Sequence, residues 1–172
     1  MHGIDPSLPL DAPLTLPVDG VSPGVDSSAL HYYVRLTLGN GDTVTVDGNT
    51  LFALDAFSFG ADQAVSIGSA TGGAGAGKVE FNTLNLALEQ PALDPLLFKM
   101  LASGAHFSEV DILGYHQGGG TSALAIDYSF GLVLASSLDI DGSGVSHVGL
   151  QYGAEKIQTF AQKPDGTIVP DT

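Results

Sequence analysis

The chain has 172 residues, a length that predicts one domain with a substantial buried core. Its 19 acidic and 5 basic residues give a formal net charge of −14, which makes nucleic acid and anionic membranes poor partners because both are bound by clustered Lys and Arg. The lack of cysteine excludes a disulfide framework, a thiolate metal site and a cysteine nucleophile. The 23 glycines and many short apolar runs favour a mainly β protein rich in turns.

No segment of the sequence predicts a membrane span or a secretory signal. Apolar runs are too short to cross a bilayer, and Met1–Asp5 lacks the basic and apolar regions of a signal peptide. We therefore expect a soluble chain, whose export would require either a signal already removed or a route that needs none.

Residues 1–29 are rich in proline and aspartate and are predicted to form an extended N-terminal arm. Five prolines and four aspartates disfavour both a helix and a central strand. Two interpretations stay open: a disordered tail, or a segment that orders against a neighbouring subunit by burying its spaced leucines.

The domain is predicted to begin with a strand at His31–Leu38. The Gly39–Asp42 sequence has the turn chemistry for a hairpin into Thr43–Val46, and Asp47–Asn49 predicts another turn.

The most informative stretch is Leu54–Phe81, where two alternating runs flank a glycine-rich loop. Alternation of apolar with polar or small residues predicts strands on both sides, the second continuing from Lys78 to Leu88. The loop between them, Gly68–Gly77, cannot pack a core of its own and is expected to project from the sheet as a flexible arm.

The same loop nearly matches a phosphate-binding motif. Gly72–Lys78 fits GxxxxGK, but Val79 stands where a hydroxyl residue would bind magnesium. A phosphate loop must open a helix, whereas Lys78–Asn82 alternates as a strand does. Nucleotide binding is therefore disfavoured.

One helix is predicted, at Asp94–Gly104. Asp94 is expected to cap it, Pro95 takes its first position and Gly104 ends it. Its apolar residues form one stripe, so the helix should lie against the sheet or plug the end of a barrel.

The last third of the chain predicts long strands. His106–Gly114 and Ser122–Ser137 form a hairpin with Gly118–Gly120 at its tip, and Val145–Phe160 gives a last strand or pair. A turn at Lys163–Thr167 is expected to be followed by a tail.

Few residues suggest chemistry. Asp139 and Asp141 begin a DxDGSG sequence in which alternate oxygens can converge on calcium, although the same sequence is typical of a turn and the Glu expected at the twelfth position is replaced by Leu150. His106 and His116 could meet across a hairpin, but no histidine pair has metal-binding spacing. No GxSxG sequence supports a serine hydrolase.

Taken in order, these motifs resemble the haemolysin-coregulated protein (Hcp) family, the tube-forming subunits of bacterial type VI secretion. The resemblance covers roughly residues 31–168 and rests on the order and spacing of five segments. They are Leu54–Gly60, Gly75–Val79, Asp94–His106, Gly118–Gly120 and Asp141–Gly144, and the closing Gln162–Gly166 also fits the tail of the family. The chain departs from the family in having phenylalanine for its tryptophan, in lacking its basic strand after the helix and in carrying residues 1–29.

The resemblance implies an antiparallel β-barrel of two packed sheets with one short helix, at residues 30–168, preceded by the arm 1–29 and followed by a tail at 169–172. It also implies a hexameric ring that stacks into a secreted tube, is made in the cytoplasm and has effector and spike proteins as partners. The subunit-interface loop would then include Ser66, Gly72, Gly73, Gly75, Gly77 and Lys78.

The leading hypothesis is therefore a non-enzymatic ring or tube subunit that needs no cofactor. The alternative is a secreted acidic β-domain that binds calcium or a ligand without forming a tube. A hydrolase is the third possibility, supported only by scattered Ser, His and Asp.

Overall fold

Antiparallel strands dominate the structure, a computed structural model that describes residues 30–67, 74–118, 121–165 and 167–171. The strands are β1 (Leu30–Leu38), β2 (Phe52–Ser58), β3 (Ala61–Ile67), β4 (Ala74–Phe81), β5 (Leu84–Leu88), β6 (His106–Gly118), β7 (Thr121–Ile140), β8 (Ser146–Gln162) and β9 (Ile168–Pro170). A 3₁₀ turn at Pro91–Leu93 leads into the single α-helix of the described residues, α1 (Asp94–Ser103).

Six of these strands close into a barrel. They are hydrogen-bonded in the order β5-β2-β1-β6-β7-β8, and β5 pairs with β8 to complete the circle. In the closing pair, Leu84 lies opposite Leu150 and Leu88 opposite Ser146. A separate two-stranded sheet, β3 with β4, stands outside it. The predicted antiparallel β-barrel with one short helix is confirmed.

The barrel interior is apolar because alternate residues of each strand face inward. Phe107, Val110 and Ile112 of β6 are all fully buried, as are Phe130 of β7 and Leu150 of β8. The remaining core includes Val34, Leu36, Phe52, Leu84, Leu88, Val133 and Val148.

The turn after β1 forms as predicted, but its return strand does not. Gly41 donates its backbone N–H to the Leu38 carbonyl at 2.8 Å. The returning segment is joined to β1 only by a bridge between Thr37 and Thr43, so Thr43–Val46 is not a strand. The predicted turn at Asp47–Asn49 is present, with positive φ angles of 50° at Asp47 and 80° at Gly48.

The stretch Leu54–Phe81 differs from the prediction in its connections. The predicted strand Lys78–Leu88 is two strands, because the chain leaves β4 at Asn82 and begins β5 at Leu84. The Asn82 N–H donates to the Gly60 carbonyl at 2.8 Å and ends the β3–β4 ladder beside the Ala61–Phe81 pair. Part of the predicted loop Gly68–Gly77 belongs to a strand, since β4 starts at Ala74.

Helix α1 packs beside β7 and adds residues to the hydrophobic core. Its residues Leu97 and Met100 are buried, and Gly104 ends it at φ 65°, as predicted. The predicted cap is wrong: Leu93 occupies the N-cap position, and the Asp94 carboxylate instead accepts a 2.5 Å hydrogen bond from Ser146 Oγ. This bond ties the start of α1 to the start of β8.

The end of the chain forms a strand where a tail was expected. Residues of β9 pair with β8, placing Ile168 opposite Gln162. Residues 1–29 lie outside the described part of the chain. The division into an N-terminal segment (1–29), a barrel domain (30–168) and a tail (169–172) stays a prediction. Within the described ranges, no helix has both the length and the apolar character needed to cross a bilayer.

A substitution at Gly114 tests the packing inside the barrel. A Cβ at this buried position would lie 2.7 Å from Ile126 Cγ2 and 2.8 Å from Tyr32 Cε1. Gly114→Ala is therefore expected to lower the free energy of unfolding by about 1–3 kcal/mol in urea denaturation, because the side chains of Ile126 and Tyr32 must shift. Gly142→Ala is the control, since a Cβ there meets nothing within 4 Å. Equal effects of the two variants would contradict this packing.

Candidate assembly site

The β3–β4 hairpin, called here the arm (Ala61–Ile67 and Ala74–Phe81), is the first candidate for contact with another molecule. Among the described residues its two strands pair only with each other. Val65, Val79 and Phe81 are 59%, 43% and 40% exposed. A two-stranded sheet with open edges and uncovered apolar side chains is a ready surface for another chain.

The predicted interface residues fall on this arm where they are described. Ser66 pairs with Gly75 near its far end. Gly77 and Lys78 lie side by side in β4. Gly72 and Gly73 lie outside the described residues. The strand predicted at Lys78 is confirmed, since β4 runs through this residue.

Gly77 and Lys78 form a β-bulge. Gln63 pairs with Val79 and Val65 with Ala76, so two residues of β4 stand opposite the single residue Ala64. A Cβ on Gly77 would lie 2.7 Å from the Ala64 carbonyl oxygen, which explains the need for glycine here. Gln63 Nε2 donates to the Gly77 carbonyl at 2.9 Å and holds the bulge together.

The base of the arm is fixed to the barrel by aromatic packing. The Phe81 ring lies 5.1 Å from that of Tyr152, whose ring in turn lies 4.8 Å from that of the buried Phe130. The Tyr152 hydroxyl donates to the Gly60 carbonyl at 3.2 Å. These contacts orient the arm where it leaves the barrel.

A second candidate surface is a group of carboxylates on the outside of the barrel, called here the acidic patch (Glu109, Asp111 and Asp127). Asp111 is only 1% exposed, and its Oδ2 accepts hydrogen bonds from Arg35 Nε at 3.0 Å and Nη2 at 2.8 Å. Its Oδ1 is buried without a partner among the described residues. Such a half-satisfied buried carboxylate is uncommon.

Crowding of like charges perturbs the two other carboxylates. The hydrogen bond that a protonated Glu109 can make to Asp111, together with the charge of Asp111, raises the pKa of Glu109, and burial adds to the effect. Burial, followed by the Asp111 charge, raises the pKa of Asp127. The alternation in β6 places Glu109 and Asp111 on one face, but only the strand register brings Asp127 beside them.

The calcium candidates lie at the other end of β7. Asp141 Oδ1 accepts hydrogen bonds from the Ser143 backbone N–H and from Ser143 Oγ, as in a turn that closes on itself. Asp139 and His147 line a surface groove of about 360 Å³ between β2, β5, β7 and β8. The described residues contain no group of three His, Cys, Asp or Glu placed to hold a metal, and calcium binding stays a prediction.

The histidine pair is not brought together. His106 and His116 lie at opposite ends of the same strand, where His106 pairs with Leu134 and His116 with Ala123. The suggested meeting across a hairpin is therefore wrong, because the hairpin partner of β6 is β7.

Phe81→Ala tests the fixing of the arm. Loss of the ring contact with Tyr152 is expected to speed hydrogen exchange of the described arm amides about tenfold, while the β6 and β7 amides stay unchanged. Val79→Ala is the control, because it shortens an equally exposed arm residue without a ring contact. The anchoring would be refuted if both variants left arm exchange as in the wild type.

Asp127→Asn tests the crowding in the acidic patch. A carboxyl whose pKa is raised by folding adds stability below its unfolded pKa and loses that contribution as the pH rises through its folded pKa. The variant should therefore melt about 2 °C above the wild type at pH 7, and the difference should vanish in acid.

Calorimetry across the pH range measures this difference. Asp55→Asn, an exposed residue of β2, removes the same charge and is expected to change the melting temperature little. A lower melting temperature for Asp127→Asn at pH 7 would contradict the crowding.

Comparison with known proteins gives one family and a set of similar folds. The family model described as "Type VI secretion system effector, Hcp" matches residues 33–159. A search of curated protein sequences finds no match.

Solved structures share the fold at low sequence identity. A structure described as a type six secretion system protein is 18% identical with a TM-score of 0.65, and the alignment covers 82% of this chain and 90% of that one. The Hcp1 protein from E. coli EAEC 042 is 16% identical with a TM-score of 0.61, covering 83% and 98%. The secreted protein Hcp3 from Pseudomonas aeruginosa is 16% identical with a TM-score of 0.54, covering 83% and 97%.

Proposed function

Since the chain belongs to the Hcp family of type VI secretion systems, we propose that it is a structural subunit whose copies form a hexameric ring. Rings of this kind would stack into a tube that is expelled from the cell, carries effector proteins and is tipped by a spike protein. The role is architectural, with no catalytic step and no cofactor.

The observation that carries this proposal is the extent of the family match. Residues 33–159 run from within β1 to within β8, so the match includes residues of all six barrel strands and of the arm. The family signal therefore belongs to the whole barrel and not to one short motif.

The geometry of the arm supports assembly by contact between different surfaces. Its exposed strands project from one part of the barrel, and they would meet a different part of the next copy. Such heterologous contacts close into a ring when the rotation between copies is right, and they leave free ends for stacking.

The charge of the chain sets a condition on assembly. Six copies, each with a formal charge of −14, repel one another at low ionic strength. Salt screens this repulsion over about 10 Å at 0.1 M. We therefore expect the fraction of assembled protein to rise with salt concentration.

Sedimentation velocity of the full chain tests the proposal. Six copies of the 17.6 kDa chain are expected to sediment as a particle of about 106 kDa, populated increasingly from low to moderate salt. Electron microscopy of the same sample should show rings with a central opening. A chain that stays monomeric at every salt and protein concentration would contradict the proposal.

A further inference from the structure

The acidic patch on the outer face of the barrel has more negative charge than its neighbours balance. Arg35 lies opposite Asp111 in the β1–β6 pair and binds only one of its oxygens. The buried Asp111 Oδ1, Glu109 and Asp127 are left without an ion pair among the described residues. Unbalanced charge on a partly dehydrated surface is relieved by an incoming cation.

The other cation near the patch does not meet this need. Lys156 of β8 stands opposite Ser129, and its Nζ donates to Gln158 Oε1 at 2.8 Å. Its charge lowers the pKa of Asp127 less than burial raises it. The patch therefore keeps an excess of carboxylates even with Arg35 and Lys156 counted.

A hollow of about 200 Å³ lies beside Glu109 on the same face. Gly131 and Ala154 give it a shallow floor without bulky side chains, and Ser108, Ser129 and Lys156 lie around it. Its size suits one unbranched side chain, whose methylene stem could lie on the floor while a terminal charge reaches the patch.

The arm carries a cation suited to that hollow. Lys78 is exposed on the Gly77–Lys78 bulge and forms no hydrogen bond or ion pair with any described residue. The chain has only five basic residues, so the position of each one strongly affects the electrostatic interaction between copies.

We propose that Lys78 of one copy enters the hollow of the next and pairs there with Glu109. The inference rests on the proposed self-assembly and names the contact that the arm makes. Asp111, buried beneath and held by Arg35, contributes the negative potential that favours the lysine at this position.

Charge reversal tests the pairing at a fixed ionic strength of about 0.15 M, so that general screening is constant. Lys78→Glu is expected to weaken association at least tenfold in sedimentation velocity, because it places a fourth carboxylate beside the three of the patch, where the wild type has a cation. Lys163→Glu is the matched control, with the same charge change at an exposed residue of the β8–β9 turn, and it is expected to alter association less than threefold.

Charge exchange separates a direct contact from a general charge effect. Glu109→Lys alone should also weaken association, and the double variant Lys78→Glu with Glu109→Lys should recover to within about threefold of the wild type. Circular dichroism of each variant checks that the barrel is folded.

The outcomes separate this inference from the proposed function. A wild type that forms rings while Lys78→Glu associates equally well overturns the Lys78 contact and leaves ring assembly standing. Equal weakening of association by Lys78→Glu and Lys163→Glu also overturns it. So does a double variant whose loss of association equals the sum of the losses in the two single variants. A wild type that never associates refutes both.

Discussion

The pairing of β5 with β8 is the constraint on which the rest of the structure depends. It closes the barrel, with Leu84 and Leu88 entering the core beside Leu150. Because β2 and β5 are themselves paired, the chain between them must leave the barrel and return to the same place. The arm follows from that closure: its two strands have only each other to pair with among the described residues.

Closure also explains why the arm leaves the barrel in a defined direction. The two ends of the arm meet where Gly60 and Asn82 are hydrogen-bonded, and the Phe81 ring packs on Tyr152 beside the core residue Phe130. The arm is therefore joined to the most tightly packed part of the molecule. Its outer part, with Lys78 and Val79, stays uncovered, and this combination suits a segment that presents itself to another copy.

Parts of this structure could be read from the sequence because they depend on local chemistry. Gly104 ends the helix at a positive φ that glycine adopts easily, and the long alternating runs around Gly118–Gly120 gave the β6–β7 hairpin. The order of these short motifs also indicated the family. Glu109 and Asp111 are separated by one residue, which places them on one face of a strand.

The remainder depends on contacts that are remote in sequence. Alternation continues from Lys78 to Leu88, so nothing local reveals the break at Asn82, where the chain changes its pairing partner from β3 to β2 and β8. Asp94 has the residue type of a cap, but its carboxylate is taken by Ser146, 52 residues away. Asp127 joins the acidic patch only through the register of β6 with β7. Arm and patch could therefore not be connected before the fold was known.

The central claim is that the arm of one copy contacts the barrel of another. Zero-length cross-linking of amines to carboxylates, applied to a mixture of ¹⁴N-labelled and ¹⁵N-labelled chains, tests it most directly. The account predicts linked peptides of mixed isotope that join the Lys78 segment to the β6 or β7 segment. Assembled particles in which every link from the Lys78 segment stays within chains of one isotope would contradict it.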